Sequence, residues 1–235
     1  VVELIKGPKG TSVRLQILTG ESAGDATDKE VVIVRDKIKL EDRAAKSEVY
    51  KPLYSSVDSK IGVITIPSFY NNLSRDVKKE IDKLLAENVE GIIVDLRGNG
   101  GGSLTEATLL TGLFIEKGPV VQIRYGQSKV SVNRDTDGEV AYDGPLTVLV
   151  DRYSASASEI VAGVMQDYDR GVLVGRKSYG KGLVQRTLPL SYNSQMKVTI
   201  AKYYTPSGRC IQAIDYSTRN DDGSVGKIAD SLKTA

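Results

Sequence analysis

Apolar and polar residues begin to alternate at Thr11. Val13, Leu15 and Ile17 fall on one side and Ser12, Arg14 and Gln16 on the other, the period-two pattern of a half-buried strand. Ahead of it, Val1-Val2-Glu3-Leu4-Ile5 reads as a short apolar helix end and Gly7-Pro8-Lys9-Gly10 as a turn. A helix end and one strand bury no core by themselves. Residues 20–29 are small, polar and aperiodic, as a linker is, and Val31-Val32-Ile33-Val34 is a β-branched run, so a domain boundary is expected near residues 20 to 30.

From Lys60 strand and helix signals alternate, which predicts an α/β layer architecture. Ile61 to Ile66 reads as a strand stopped by Pro67, and Ser74 as the cap of a helix with Val77, Ile81, Leu84 and Leu85 on one face. Gly91 to Leu96 is a buried strand; after Arg97-Gly98-Asn99-Gly100-Gly101-Gly102, Ser103-Leu104-Thr105-Glu106 is a capping box that opens a helix to about Ile115. Val120 to Tyr125, Val130 to Val132 and Leu146 to Val150 read as strands, with Asp137-Gly138 as a hairpin turn. Ser154 to Tyr168 is helical, Val172 to Val174, Leu183 to Leu190 and Met196 to Lys202 are strands, and a short helix is expected near residues 226–232 of a polar tail.

Composition narrows the chemistry. With 235 residues, 40% apolar and 26% charged, the chain has the make-up of a soluble globular protein with room for one large domain or one and a half ordinary ones. A formal charge of +2 gives no reason to expect a nucleic-acid partner, no apolar run approaches a membrane span, and the N-terminus lacks the features of a signal peptide. There is no histidine, which excludes Ser-His-Asp and Cys-His couples, and the single Cys210 excludes an internal disulfide or a cysteine metal cluster. Acid–base work is left to Asp, Glu, Lys or Tyr.

Three segments stand out. Asn99 to Gly102 lies between a buried strand and a capped helix, where backbone N–H groups can receive an anion or a developing oxyanion; a turn that merely needs unusual dihedrals accounts for it equally. Gly175-Arg176-Lys177-Ser178-Tyr179-Gly180-Lys181-Gly182 nearly spells a phosphate loop, but Gly182 has no hydroxyl for magnesium and the chain continues as a strand, so a nucleotide site at 175–182 is disfavoured. Ser154-Ala155-Ser156-Ala157-Ser158-Glu159 opens a helix. Ser156 and Glu159 form a capping box, yet the small residues around Ser156 also admit a substrate backbone, and the N–H of Ala157 can face an oxyanion.

A serine nucleophile without imidazole needs another base, and the substitute is a neutral lysine amine. Lys181 is the candidate, against the alternative of a solvated loop lysine. A free lysine titrates near about 10.4, so apolar neighbours would have to desolvate it. Lys181, Leu183 and Gln185 would share one face of a strand, where Gln185 can hold the amine without adding negative charge.

The blocks Asp95 to Gly102, Ser154 to Ile160, Gln166-Asp167 and Gly180 to Gln185, in this order and spacing, resemble the carboxyl-terminal processing (tail-specific) proteases, serine/lysine peptidases of the S41 family. Asn99 to Ala107 through Gly118 to Val121 resembles their bacterial Prc-like branch, and Tyr203 to Arg209 is a further family-like block. The resemblance runs from about Lys60 to Gln212. It implies an α/β catalytic domain of the Clp-protease/crotonase-like kind with mixed sheets and helices, preceded by a truncated PDZ remnant. The implied parts are residues 1–20 as the PDZ remnant, 21–59 as linker and leading strands, 60–214 as catalytic core and 215–235 as a polar C-terminal segment that stops short of the family's usual end.

By the same resemblance Ser156 is the nucleophile, Lys181 the general base and Gln185 its orienting partner, with oxyanion donors from Ala157 and from the Gly101-Gly102 turn. Gly100 stands where many relatives carry proline, which leaves the choice between Gly101 and Gly102 open. Asp167 lies about 16 Å along a helix from Ser156 and reads as structural. The implied activity is an endopeptidase acting near the C-termini of protein or peptide substrates, without metal or cofactor, in a bacterial periplasm or cell envelope. An adaptor or homo-oligomer is left open. A piece lacking most of the PDZ module would not hold a peptide C-terminus through it and could be inactive alone. A noncatalytic ligand-binding relative is the alternative.

Overall fold

The computed structural model describes residues 2–19, 27–36, 44–52, 59–126, 129–219 and 222–227, and the chain divides into two units, 1–42 and 43–235. In the first unit the helix end is α1 (Val2–Ile5) and the alternating segment is β1 (Ser12–Thr19). Its antiparallel partner is β2 (Thr27–Val34), with Ser12 opposite Val34. The β-branched run thus belongs to the first unit, and the units part between residues 42 and 43, later than the expected 20–30. Residues 20–26 of the expected linker lie outside the described residues. Arg35 gathers this unit: its guanidinium donates to the carbonyls of Leu4 (3.1 Å), Ile5 (2.8 Å) and Ser12 (3.1 Å) and to the Thr11 hydroxyl (2.8 Å). Two of those carbonyls belong to α1's unpaired end.

The second unit alternates strand and helix. In chain order it runs β3 (Lys46–Tyr50), β4 (Ile61–Thr65), α2 (Leu73–Ala86), β5 (Gly91–Asp95), α3 (Leu104–Gly112), β6 (Gly118–Tyr125), β7 (Val130–Asp135) and β8 (Leu146–Val150). It continues with α4 (Ala157–Asp167), β9 (Val172–Gly175), β10 (Leu183–Pro189), β11 (Gln195–Tyr204), β12 (Ile214–Arg219) and β13 (Val225–Lys227). One sheet has the order β3-β4-β5-β8-β9, parallel except for β3; a second, antiparallel, has the order β10-β11-β6-β7; β12 and β13 form a hairpin.

Parallel strands carry helical crossovers, so their central members are covered on both faces and read as continuous apolar runs. Ile92 and Val94 of β5 and Val148 of β8 are buried against Ile81 and Leu84 of α2, Leu110 of α3 and Ile160, Val164 and Met165 of α4 in one core cluster. Each such side chain contributes about 1.5–3 kcal/mol by leaving water. On α2 the buried face is Leu73, Val77, Ile81 and Leu84, whereas Leu85, expected with them, is 43% exposed.

Helix caps depart from the sequence pattern. Asn72, not Ser74, precedes α2, with φ 70°, and its N–H and the N–H and hydroxyl of Ser74 donate to the carboxylate of Glu106 at 2.7, 3.0 and 3.1 Å. Ser103 does cap α3, accepting from Glu106 N–H at 3.3 Å, but the Glu106 side chain has been taken by α2, where it satisfies three donors rather than one. Asp137-Gly138 is a turn but not the hairpin. The β6–β7 hairpin closes earlier, with Tyr125 N–H on Lys129 O at 2.9 Å, and Asp137 bonds to Glu139 N–H on the way to β8. Gly226 and Lys227 lie in β13 rather than in a helix, and residues 228–235 are outside the described set.

Because β5, β8 and β9 are parallel neighbours, the segments that follow them leave from one edge of the sheet, where ligands sit in open α/β sheets. Those segments are 96–103, 151–156 and 176–182.

Candidate active site

The segment after β5 is held by side chains on its own turn. Asp95 pairs with Arg97 through two oxygens, and Asn99, fully buried, spends every polar group: its amide donates to Ile66 O (2.8 Å) and its Oδ1 accepts from Gly101 N–H (2.9 Å). The Asn99 carbonyl accepts from Ala155 N–H (3.0 Å) and from the Ser158 hydroxyl (2.9 Å), which joins this turn to the one after β8. Asp151 makes a second joint, accepting from the N–H groups of Gly98 (3.0 Å), Tyr153 (2.9 Å) and Ser154 (3.1 Å). Those N–H groups, Gly98's foremost, hold the Asp151 carboxyl below the usual carboxylate range.

Burial separates the three serines of the second turn. Ser154 and Ser158 are inaccessible and their hydroxyls donate to the carbonyls of Leu96 (2.8 Å) and Asn99 (2.9 Å). Ser156 is half-buried and forms a capping box with Glu159, and its hydroxyl donates to no acceptor among the described residues. Its backbone has φ 58° and ψ −113°, a conformation that side-chain-bearing residues rarely adopt and that costs about 1–3 kcal/mol where the surroundings impose it. Gly101 approaches this residue closely. Its φ is 95°, and a Cβ there would stand 2.8 Å from Ser156 Cβ and 2.7 Å from Ala155 O, so only glycine permits this approach. Gly102, with φ 151°, is pressed against the Phe69 carbonyl in the same way.

Of the expected oxyanion donors, Gly101 N–H is engaged by Asn99 Oδ1. The N–H groups of Gly102 and, at the first position of α4, Ala157 carry no hydrogen bond among the described residues.

The third segment brings Lys181 to the site by its backbone. Glu159, buried in the first turn of α4, accepts from Ser156 N–H (2.8 Å) and Lys181 N–H (2.8 Å) on Oε2, and from the Ser178 hydroxyl (2.8 Å) and Gly180 N–H (2.6 Å) on Oε1. The nitrogens of Ser156 and Lys181 are therefore no farther apart than twice 2.8 Å. Buried Gln212 accepts from Gly182 N–H at 2.8 Å. The Lys181 side chain is exposed, contrary to the apolar surroundings expected for it, and no hydrogen bond joins it to the Ser156 hydroxyl.

Gln185 is also placed differently. Lys181 precedes β10, so the strand alternation expected to put it on one face with Leu183 and Gln185 does not extend to it, and the register shift beside Gln185 leaves its extra residue, Ile200, on β11. The Gln185 amide is exposed and reaches Thr199 Oγ1 at 3.4 Å. Segment 176–182 runs from one strand into another, without the helix that a phosphate loop requires. No group of three or more Cys, Asp and Glu side chains suited to a metal ion gathers among the described residues, and no helix there is long and apolar enough to cross a membrane.

Asp167, at the far end of α4, holds the Tyr203–Arg209 block: it accepts from Ser207 N–H (2.7 Å) and pairs with Arg209, which also donates to Gln166 (2.9 Å). Burial pushes its carboxyl up, but the Ser207 N–H, the Thr205 and Ser207 hydroxyls and Arg209 together bring it below the ordinary value. Sequence reading missed the second role of Glu159, whose capping-box signal concealed it, and the joints made by Asn99 and Gln212, which have no local signature.

Residues 60–218, which hold all of these groups, match the model of peptidase family S41. A tail-specific protease of Haemophilus influenzae is 46% identical over 221 residues, covering 90% of this chain and 31% of that protein. A carboxy-terminal-processing protease of Bartonella bacilliformis is 35% identical over 218 residues, covering 91% of this chain and 47% of that one. The chain thus spans about a third to a half of the length of these relatives. Among solved structures, a photosystem II D1 C-terminal processing protease is similar with a TM-score of 0.65 at 26% identity, covering 89% of this chain and 55% of that one. With its mixed α/β sheets and a family match across its two parallel-edge turns and the lysine segment, the chain belongs to peptidase family S41.

Proposed function

We propose that this chain is the catalytic part of a serine endopeptidase that cleaves protein substrates near their C-termini through an acyl-enzyme on Ser156, with Lys181 as general base. The observation that carries the reading is the state of Ser156. It is the one serine of its turn that is not buried and whose hydroxyl donates to no acceptor among the described residues, it sits in a strained backbone conformation at a helix N-terminus, and its N–H shares one carboxylate oxygen with the N–H of Lys181. The preference for C-termini is carried over from relatives named tail-specific and carboxy-terminal-processing proteases.

In this reading Ser156 Oγ attacks the scissile carbonyl while the neutral Lys181 amine takes the hydroxyl proton. The tetrahedral oxyanion is received by the N–H groups of Ala157 and Gly102, the two that the fold leaves unpaired, with Gly101 N–H serving to hold the turn. Lys181 then gives the proton to the leaving amine, and water, deprotonated by the same lysine, releases the acyl group. Lys181 is exposed before substrate arrives, so the bound peptide must exclude water from its amine; catalytic contacts commonly tighten only in that complex. Gln185 is the group that would orient the amine there, on leaving Thr199.

The finer architecture is part of the proposal: a Clp-protease/crotonase-like catalytic core, a first unit derived from the end of a PDZ-like domain, and residence in a bacterial periplasm or envelope. It is supported by the helix-then-strand order of α1 and β1 and by the bacterial relatives. The test is cleavage of an unfolded protein by the full-length enzyme. Ser156→Ala and Lys181→Ala each lower kcat by about 10³-fold or more, and Lys181→Arg does the same because guanidinium stays protonated. Substantial activity in Lys181→Arg overturns the assignment of the base.

A further inference from the structure

We infer that Glu159 is a positioning residue that fixes the spacing between nucleophile and base; the inference rests on the Ser156 and Lys181 reading. A capping glutamate at this place needs only one bond, to the N–H of the cap residue. Glu159 makes that bond to Ser156 and three more, to Ser178, Gly180 and Lys181, all on a segment about twenty residues further along the chain. A carboxylate is rigid and planar. Because one oxygen atom receives both the Ser156 and the Lys181 N–H, neither backbone can shift without straining the bond to the other.

The segment that carries Lys181 is held from its other side as well. Gly182 N–H is bound by Gln212 Oε1 (2.8 Å), the Gly180 carbonyl accepts from Ala213 N–H (3.0 Å) and the Gly182 carbonyl from Tyr203 N–H (2.8 Å). Gly180 and Gly182 are themselves pressed so closely against Ala213 and Gln212 that neither tolerates a Cβ without movement. The backbone of Lys181 is therefore fixed at both neighbours while its side chain, exposed and without a hydrogen bond among the described residues, is free to turn onto Ser156 when a peptide covers it. Holding the backbone in advance is what limits the search to the side-chain dihedrals, and misplacement by about 1 Å costs on the order of 10²-fold in rate.

The test uses the full-length enzyme and compares Glu159→Gln with Glu159→Ala, each checked by thermal melting. Glutamine retains one carbonyl oxygen for the Ser156 and Lys181 N–H groups, turns its amide to the Ser178 hydroxyl and leaves only Gly180 N–H unpaired, so kcat stays within about tenfold of the parent. Alanine removes all four bonds, and kcat falls about 100-fold or more while KM stays within about threefold. The rate at which a fluorophosphonate labels Ser156 falls in proportion. A merely structural glutamate would not divide kcat from KM in this way. If Glu159→Ala does not fold, Glu159→Asp decides: its carboxylate, one methylene shorter, cannot reach both N–H groups, and kcat falls at least tenfold in a folded protein. Parent-like kcat in a folded Glu159→Ala or Glu159→Asp overturns the inference, as does a Glu159→Gln loss equal to that of alanine. Failure of the parent to label at Ser156 would overturn the nucleophile reading and this inference with it, whereas unchanged kcat in the Glu159 variants overturns this inference alone.

Discussion

Alanine at position 101 would add one methyl group to the most crowded point beside Ser156. The backbone there has φ 95°, in the left-handed region where a side chain costs about 1–2 kcal/mol. The new Cβ would lie 2.7 Å from Ala155 O, 2.8 Å from Ser156 Cβ and 3.0 Å from Ala157 N, and overpacking of this kind costs about 1–3 kcal/mol. The crowding atoms cannot retreat easily, because Ala155 N–H is tied to Asn99 O at 3.0 Å and Ser156 N–H to Glu159 at 2.8 Å. The total is roughly 2–5 kcal/mol. If the two turns keep their places, that amount is lost from stability, and the melting temperature falls by roughly 5–20 °C for a protein of this size. If the glycine turn swings away instead, Gly102 N–H leaves the oxyanion position proposed for it and kcat falls about 10²–10³-fold.

Thermal melting and steady-state cleavage by the full-length Gly101→Ala enzyme separate these outcomes. Gly100→Ala is the internal control, since a Cβ at Gly100 meets nothing within 4 Å, and it is expected to match the parent. A Gly101→Ala enzyme unchanged in both stability and kcat, or a Gly100→Ala enzyme damaged to the same degree, refutes the close-approach account of Ser156.

Two pH-dependent predictions follow from the carboxylates. Asp167 is held below its ordinary value, so its contribution to stability is present above the unfolded pKa of about 3.9 and is lost as pH falls through the lower folded value; Asp167→Asn should cost about 1–3 kcal/mol at pH 7, a deficit that shrinks in acid, as measured by urea denaturation. Asp135 is shifted the other way, chiefly by burial and further by the charge of Asp137, and its Oδ2 has no hydrogen-bond partner among the described residues. The folded state therefore disfavours its charge at pH values above the unfolded pKa. Asp135→Asn should raise stability at pH 7 by about 1 kcal/mol and change little below about pH 4; destabilisation at pH 7 would contradict this.

Local signals in the sequence carried much of the fold. β5 and β8 were legible because strands covered on both faces are continuous apolar runs, and the start of α4 was legible from Ser156 and Glu159. What could not be read locally was where a polar side chain goes when a distant segment offers it more donors. Glu106 leaves its own helix for the start of α2, and Glu159 serves Gly180 and Lys181 as well as its cap, so both capping boxes were visible and neither was complete as an explanation. The face expected for Lys181 and Gln185 rested on strand alternation, which begins only at Leu183, after the lysine. Burial, which no local pattern gives, distinguishes Ser156 from Ser154 and Ser158: those two are inaccessible and Ser156 is half-buried.

The central claim is that Ser156 is a nucleophile activated by Lys181, and intact-mass analysis of the full-length enzyme after fluorophosphonate treatment tests it most directly. The account predicts one adduct per chain, located on Ser156 by peptide mapping, absent in Ser156→Ala and formed at least about 10²-fold more slowly in Lys181→Ala. An adduct on another serine, or labelling in Lys181→Ala at the rate of the parent, would contradict it.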